Sequence, residues 1–160
     1  MNNTNKVKRI SLYSSETLES NEADTQAVGD RVIVDTFYAD TLNLVAKYTV
    51  GTGETNNNCY IKAWGYIGTF QEANAFPYTG TNSSDLVNDT DNWIQIGEFD
   101  SSSGTCTFTA RQFKIVGAAS ATTYDAHFIF DITWPKIRFS ALEDGVASNK
   151  GSLTATVLIQ

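Results

Sequence analysis

The sequence predicts an all-β fold: an antiparallel β-sandwich or jelly roll of about eight or nine strands, with an extended N-terminal arm. Three observations carry this expectation. Apolar residues recur at every second position in several segments. The clearest case is near the end, where Ile137, Phe139 and Ala141 alternate with Lys136, Arg138 and Ser140, and Leu153, Ala155, Val157 and Ile159 alternate with Ser152, Thr154 and Thr156. Clusters of Gly, Asn, Ser and Asp separate these segments at short intervals. No stretch of about ten residues carries the 3.6-residue pattern of an amphipathic helix.

Composition agrees with strands. The chain has 160 residues, of which 41% are hydrophobic, 12% aromatic and only 18% charged. The polar remainder is mainly Thr, Ser and Asn, residues of pleated surfaces and turns. That length suits one domain with a real core.

Taken in order, residues 1–30 read as an arm and linker, and residues 31–160 as the sandwich domain. Val7 to Tyr13 fits a short strand or an arm, and Glu16 to Asp30 is acidic and polar, with too few apolar residues for a core helix. Val7, Ile10 and Leu12 stand beside that acidic linker, cut off from the body, which marks them as interface candidates. Arg31 to Tyr38 is strand-like. Thr41 to Val50 is a cleaner strand, with Leu42, Leu44, Ala46, Tyr48 and Val50 on one face. Cys59 to Gly68 carries Ile61, Ala63 and Ile67 opposite Tyr60, Lys62, Trp64 and Tyr66. Bulk on both faces predicts a central strand, or one covered by a loop or partner, so Trp64 and Tyr66 are further interface candidates.

Thr69 to Asn92 has the Pro, Gly, Ser and Asp content of a long irregular loop. Strands resume at Trp93 to Phe99, Thr105 to Ala110, Gln112 to Val116 and Thr123 to Trp134. The two alternating segments from Ile137 to Gln160 then read as an antiparallel pair, a terminal hairpin completing the sandwich. Leu158 breaks the polar side of the last strand, which predicts that this face is covered there.

Candidate chemistry is thin. The net charge is −7 and the pI about 4.5, a balance that repels phosphate backbones, so no nucleic-acid partner is expected. The basic cluster Lys6, Lys8 and Arg9 reads as a solvated arm. Asp85, Asp89 and Asp91 could offer oxygen ligands to Ca²⁺, but they lack an EF-hand's glycine and terminal glutamate, and read as an acidic loop with Asx turns. His127 shares a strand face with Asp125 and Asp131, an exposed polar face and not a triad, because no serine sits in an elbow motif. Cys59 and Cys106 read as small inward-facing hydrophobes, with a disulfide left open. Trp64, Trp93 and Trp134, with Tyr60, Tyr66 and Tyr78, are either core and interface residues or a sugar-stacking platform. No catalytic residue, cofactor or metal is expected. The start of the chain has no apolar stretch of a signal peptide and no run approaches a membrane span, so a soluble chain made in the cytoplasm is expected. The sequons at Asn2, Asn82 and Asn88 then read as chance.

Two stretches carry a resemblance to a known class. WIQIGEF at Trp93 to Phe99 and the ending from Lys136, a basic-aromatic strand followed by a small-residue loop and a Thr-rich final strand, resemble the small β-sandwich virion structural proteins of tailed bacteriophages. The resemblance covers the body from about Arg31 onward and implies a non-enzymatic component: a capsid decoration or auxiliary head protein, or a neck or tail protein. It implies partners that are copies of the chain and other virion proteins, and supplies no catalytic residues. It does not explain residues 1–30, which are expected to swap onto a neighbour or anchor to a shell. The competing expectation is a carbohydrate-binding module or receptor-binding tip.

Overall fold

Period-two alternation becomes two facing sheets in a computed structural model of the chain, which describes residues 7–18, 32–66, 93–100, 107–110, 112–144 and 148–160. Among these residues there are eleven strands and no helix: β1 (Lys8–Thr17), β2 (Val34–Asp35), β3 (Thr41–Thr49), β4 (Asn57–Tyr66), β5 (Trp93–Gln95), β6 (Gly97–Asp100), β7 (Thr107–Ala110), β8 (Gln112–Gly117), β9 (Thr123–Asp131), β10 (Lys136–Glu143) and β11 (Ser152–Ile159). One sheet has four strands in the order β1-β11-β3-β9. The other has five, in the order β2-β10-β4-β5 with β8 also on β4, and β6 and β7 form a separate pair. Every pairing is antiparallel. The protein is an all-β sandwich, as the alternation predicts.

The core lies between the sheets. Leu42, Leu44, Ala46 and Tyr48 of β3 and Leu153, Ala155, Val157 and Ile159 of β11 face Cys59, Ile61 and Ala63 of β4 and Ile137, Phe139 and Ala141 of β10. The same residues that alternate in the sequence are those that are buried. Burial of this many aliphatic and aromatic side chains is the dominant stabilising term.

The closing hairpin is not formed. β10 pairs with β4 and β2, whereas β11 pairs with β3 and β1, so the two segments belong to opposite sheets. Alternation dictates which face of a strand is apolar but not which strand lies beside it. Both apolar faces are served by looking at each other across the core. The strand expected over Arg31 to Tyr38 is also shorter: among its described residues only Val34–Asp35 is strand, and the chain then turns at Phe37 and Tyr38. Trp93 to Phe99 is divided between β5 and β6 at Ile96, whose N–H turns to the carbonyl of Ala63 at 2.9 Å. β4 is a central strand, with β10 on one side and β5 and β8 on the other.

The stretch expected to be an arm is, over Lys8–Thr17, a strand laid along β11 of its own chain. Its register slips twice, between Ser11 and Tyr13 and between Tyr13 and Glu16. Ser15 sits there at a φ of 53°, the left-handed conformation that bulges use, and Thr154 Oγ1 accepts its N–H at 3.0 Å. The slips turn Leu12 and Tyr13 inward, where both are buried. The boundary set between residues 30 and 31 lies outside the described residues.

One contact between β4 and the β9–β10 connection leaves no spare volume. A Cβ added at Gly65 would come within 2.4 Å of the Trp134 indole. The flat ring therefore rests on a strand with no side chain at that point. Gly65→Ala is expected to lower stability by about 1–3 kcal/mol, the usual range for overpacking. A thermal melt matching wild type would show that Trp134 moves aside freely.

Candidate functional site

Among the described residues, Phe37 and Tyr38 are the largest apolar side chains that the core leaves outside. Phe37 is 55% exposed and Tyr38 95%, and their rings meet edge to face at 4.8 Å. The turn that presents them is held on several sides. Asp35 Oδ1 accepts the Phe37 N–H at 3.1 Å, the Asx pattern that starts a turn. Thr36 donates its N–H to the Pro135 carbonyl at 2.9 Å and its hydroxyl to the Trp134 carbonyl. The Ala39 N–H closes the turn on the Thr36 carbonyl at 3.0 Å. Beyond it, Asp40 and Thr41 both donate to the Gln160 carbonyl, at 3.0 and 3.3 Å. The two rings are thus held out by a backbone with few degrees of freedom.

Two clefts flank the turn. One, of about 370 Å³, runs from Thr36 and Phe37 to Ile132, Trp134 and Pro135. The other, of about 250 Å³, lies between Tyr38, Asp35, Lys8, Ile159 and Gln160. Val7, 53% exposed, immediately precedes Lys8 at this end. One end of the sandwich therefore offers two aromatic rings between two clefts. Such an arrangement can bury rings against a partner surface, with Lys8, Asp35 and Gln160 at its rim.

The remaining candidates fall in three groups. Ile10 is half-buried against the core and Leu12 is buried within it. Trp64 and Tyr66 are 7% and 3% exposed. They form a second buried cluster with Trp93 on the side of β4 away from the main core. Tyr66 and Trp93 meet at 5.1 Å, the Arg138 guanidinium lies 5.2 Å from the Trp93 ring centre, and Trp64 donates its indole N–H to Ser140 Oγ at 2.9 Å. These rings are spent inside their own chain. Among the described residues the stacking platform is accordingly not assembled: Trp64, Tyr66 and Trp93 are buried, Trp134 rests half-buried on Gly65, and Lys114 lies over Tyr60. Tyr78 lies outside the described residues.

Leu158 is half-buried on the outer face of the four-stranded sheet. With Arg9, Val45, Lys47, Thr154 and Thr156 it lines a shallow depression of about 260 Å³. His127 shares this face, where its Nε2 lies 3.0 Å from Asn43 Oδ1, and Asp125 pairs with Lys47 at 3.3 Å. Both partners of that ion pair are exposed, so it adds little. His127 is on the polar, exposed face that its strand position predicts.

Cys59 faces the core as a free, buried thiol, and Cys106 lies outside the described residues. So do Asp85, Asp89 and Asp91. Among the described residues no group of three His, Cys, Asp or Glu side chains is placed to hold a metal ion. No helix there is long and apolar enough to cross a membrane. In comparisons with known proteins, no family model and no curated protein matches the chain.

The aromatic turn escapes a reading by periodicity because Phe37 and Tyr38 follow the apolar run Val32 to Val34 after only two polar residues, Asp35 and Thr36. The signal that could find it is Asp35 followed by Asp40. Two aspartates five positions apart bracket a turn more naturally than a strand.

Proposed function

We propose that the protein is a non-enzymatic structural subunit of a phage virion, working through symmetric protein–protein contacts. A capsid decoration or auxiliary head protein is the preferred place, and a neck or tail position the alternative within that class. Its partners are copies of itself and other virion proteins. The observation that carries the assembly part is the rigid turn with Phe37 and Tyr38 in solvent. Exposed aromatics that are preorganised lose little entropy on docking and are the side chains that dominate protein interfaces. The virion part rests on the resemblance of Trp93 to Phe99 and of the chain from Lys136 onward.

Light scattering coupled to size exclusion tests this reading. The wild-type chain is expected to run as a stable multimer at micromolar concentration. Phe37→Ser with Tyr38→Ser is expected to lower the mass of the multimer with an unchanged melting temperature, since neither ring is in the core. An unshifted multimer would remove the turn from the interface.

One observation favours a second reading, a carbohydrate-binding module or receptor-binding tip. Tyr38 stands next to Asp35 and Gln160 along one cleft. An aromatic face beside hydrogen-bonding groups is what stacking on a sugar requires. A monomer whose tryptophan fluorescence shifts across a glycan panel would favour this over assembly.

A further inference from the structure

The two edges of the four-stranded sheet differ sharply. β1, one edge, carries two register slips, a left-handed Ser15 and the cations Lys8 and Arg9. Bulges and charged side chains are how natural edge strands refuse a further strand. β9, the other edge, has none of the backbone devices. It runs nine residues, Thr123–Asp131, in unbroken register with Thr41–Thr49 of β3. It contains no proline or glycine. Among the described residues no strand pairs with its outer side.

The direction of its free groups follows from the ladder. The Val50 N–H donates to the Thr122 carbonyl and the Ile132 N–H to the Asp40 carbonyl, both at 3.1 Å. These two contacts bracket the β3–β9 register, and antiparallel hydrogen-bonded pairs alternate. Even-numbered residues of β9 therefore aim their N–H and C=O at β3. Thr123, Asp125, His127, Ile129 and Asp131 aim theirs outward. Ile129 is also 64% exposed, an apolar side chain on a strand whose outward backbone groups meet no other strand among the described residues.

We propose that β9 pairs antiparallel with β9 of a second copy, about a two-fold axis at His127, to make one continuous sheet across two subunits. This deepens the assembly reading, on which it rests, by naming the partner and the register. The strand is complementary to itself. With His127 opposite His127 of the partner subunit, all nine residues pair. Asp125 then lies opposite Ile129 of the partner subunit, and Asp131 opposite Thr123 of the partner subunit, so no carboxylate faces another. On the inner side Ala126 lies opposite Phe128 of the partner subunit, small against large. Moving the centre to Asp125 would place two carboxylates face to face, which is destabilising.

Two variants test it in the full-length chain. Ile129→Pro removes one outward N–H and leaves the β3 hydrogen bonds intact, because this residue points away from β3. It is expected to halve the mass seen by light scattering while keeping the wild-type circular dichroism. His127→Cys, made with Cys106→Ser, is expected to form a covalent dimer under mild oxidation. The paired Cα atoms would be about 5.5 Å apart, within disulfide reach. Thr123→Cys in the same background is expected to stay uncross-linked, since the two copies of that residue lie at opposite ends of the pair. A wild-type multimer that keeps its mass in folded Ile129→Pro, with no dimer from His127→Cys, would overturn this pairing and leave the assembly reading standing. A wild type that is monomeric at every concentration would overturn both.

Discussion

A chain lacking residues 1–18 is expected to lose its cooperative thermal transition. The deletion removes β1, and with it the seven residue pairs that β1 makes with β11. Leu12, Tyr13 and Leu18 are all buried, and the Tyr13 hydroxyl donates to the Phe139 carbonyl in the opposite sheet at 3.3 Å. Truncating one large buried side chain costs about 2–5 kcal/mol. Three such losses, with the ladder bonds, reach the whole stability of an ordinary domain, about 5–15 kcal/mol. The deletion would also bare β11 as a second unguarded edge, so aggregation should accompany unfolding. Tyr13→Ala isolates the packing part and is expected to cost about 3–5 kcal/mol, roughly 6–20 °C in melting temperature for a chain of this size. The same experiment separates β1 as an element of its own fold from an arm that docks on a neighbour. If the strand belonged to another subunit, deletion would change the mass of the assembly and leave a folded monomer with sharp near-ultraviolet dichroism.

That contrast shows where the sequence is legible. Faces are legible: Leu42 to Tyr48 and Leu153 to Ile159 alternate in the sequence and are buried as they alternate. Pairing is not. Ile137 to Ala141 and Leu153 to Ile159 carry matching patterns, yet they lie in opposite sheets, because a face pattern is equally satisfied by a neighbour in the sheet or across the core. β1 is obscured for a different reason. Its bulges break the period, so Leu12 and Tyr13, adjacent in sequence, both turn inward. Trp64 and Tyr66 read as interface candidates because they oppose the core face of β4. Their burial depends on Trp93, a residue 27 positions beyond Tyr66 that no local pattern links to them. The edge at β9 is different again. Its regularity is visible in the sequence, but its being an edge is a fact of topology alone.

Glu143 is a charged-type residue on the inward parity of β10, in step with Ile137, Phe139 and Ala141, and its replacement has the second large expected effect. It is buried, and its carboxyl group accepts two hydrogen bonds: from the Tyr48 hydroxyl at 2.5 Å and from the Gly151 N–H at 2.8 Å. It ties β3 to β10 across the sandwich and receives the chain as it enters β11. Glu143→Ala leaves a buried phenol and a buried amide without their acceptor and opens a cavity beside them, for an expected loss of about 3–5 kcal/mol. Tyr48→Phe removes only the donor and should cost less, about 1–3 kcal/mol. The site also sets a pH dependence. Burial first, and then the hydrogen bond to and charge of Glu143, push the Tyr48 phenol far above its ordinary value of 10.0. Burial, and then the charges of Glu143 and Asp144, push the Cys59 thiol above its ordinary 9.0. In the unfolded chain both groups release protons near those ordinary values; in the folded protein both hold them. The folded state therefore binds more protons in alkaline solution, and stability falls as pH rises. The loss begins near pH 9 through Cys59 and steepens above pH 10 through Tyr48. Each group contributes about 1.4 kcal/mol per pH unit. Melting temperatures taken from pH 7 to 11 should trace this two-step decline, and Tyr48→Phe should flatten its upper part. A melting temperature that holds constant through pH 11 would mean that the phenol and the thiol ionise in the folded state, and that the Glu143 site is open to water.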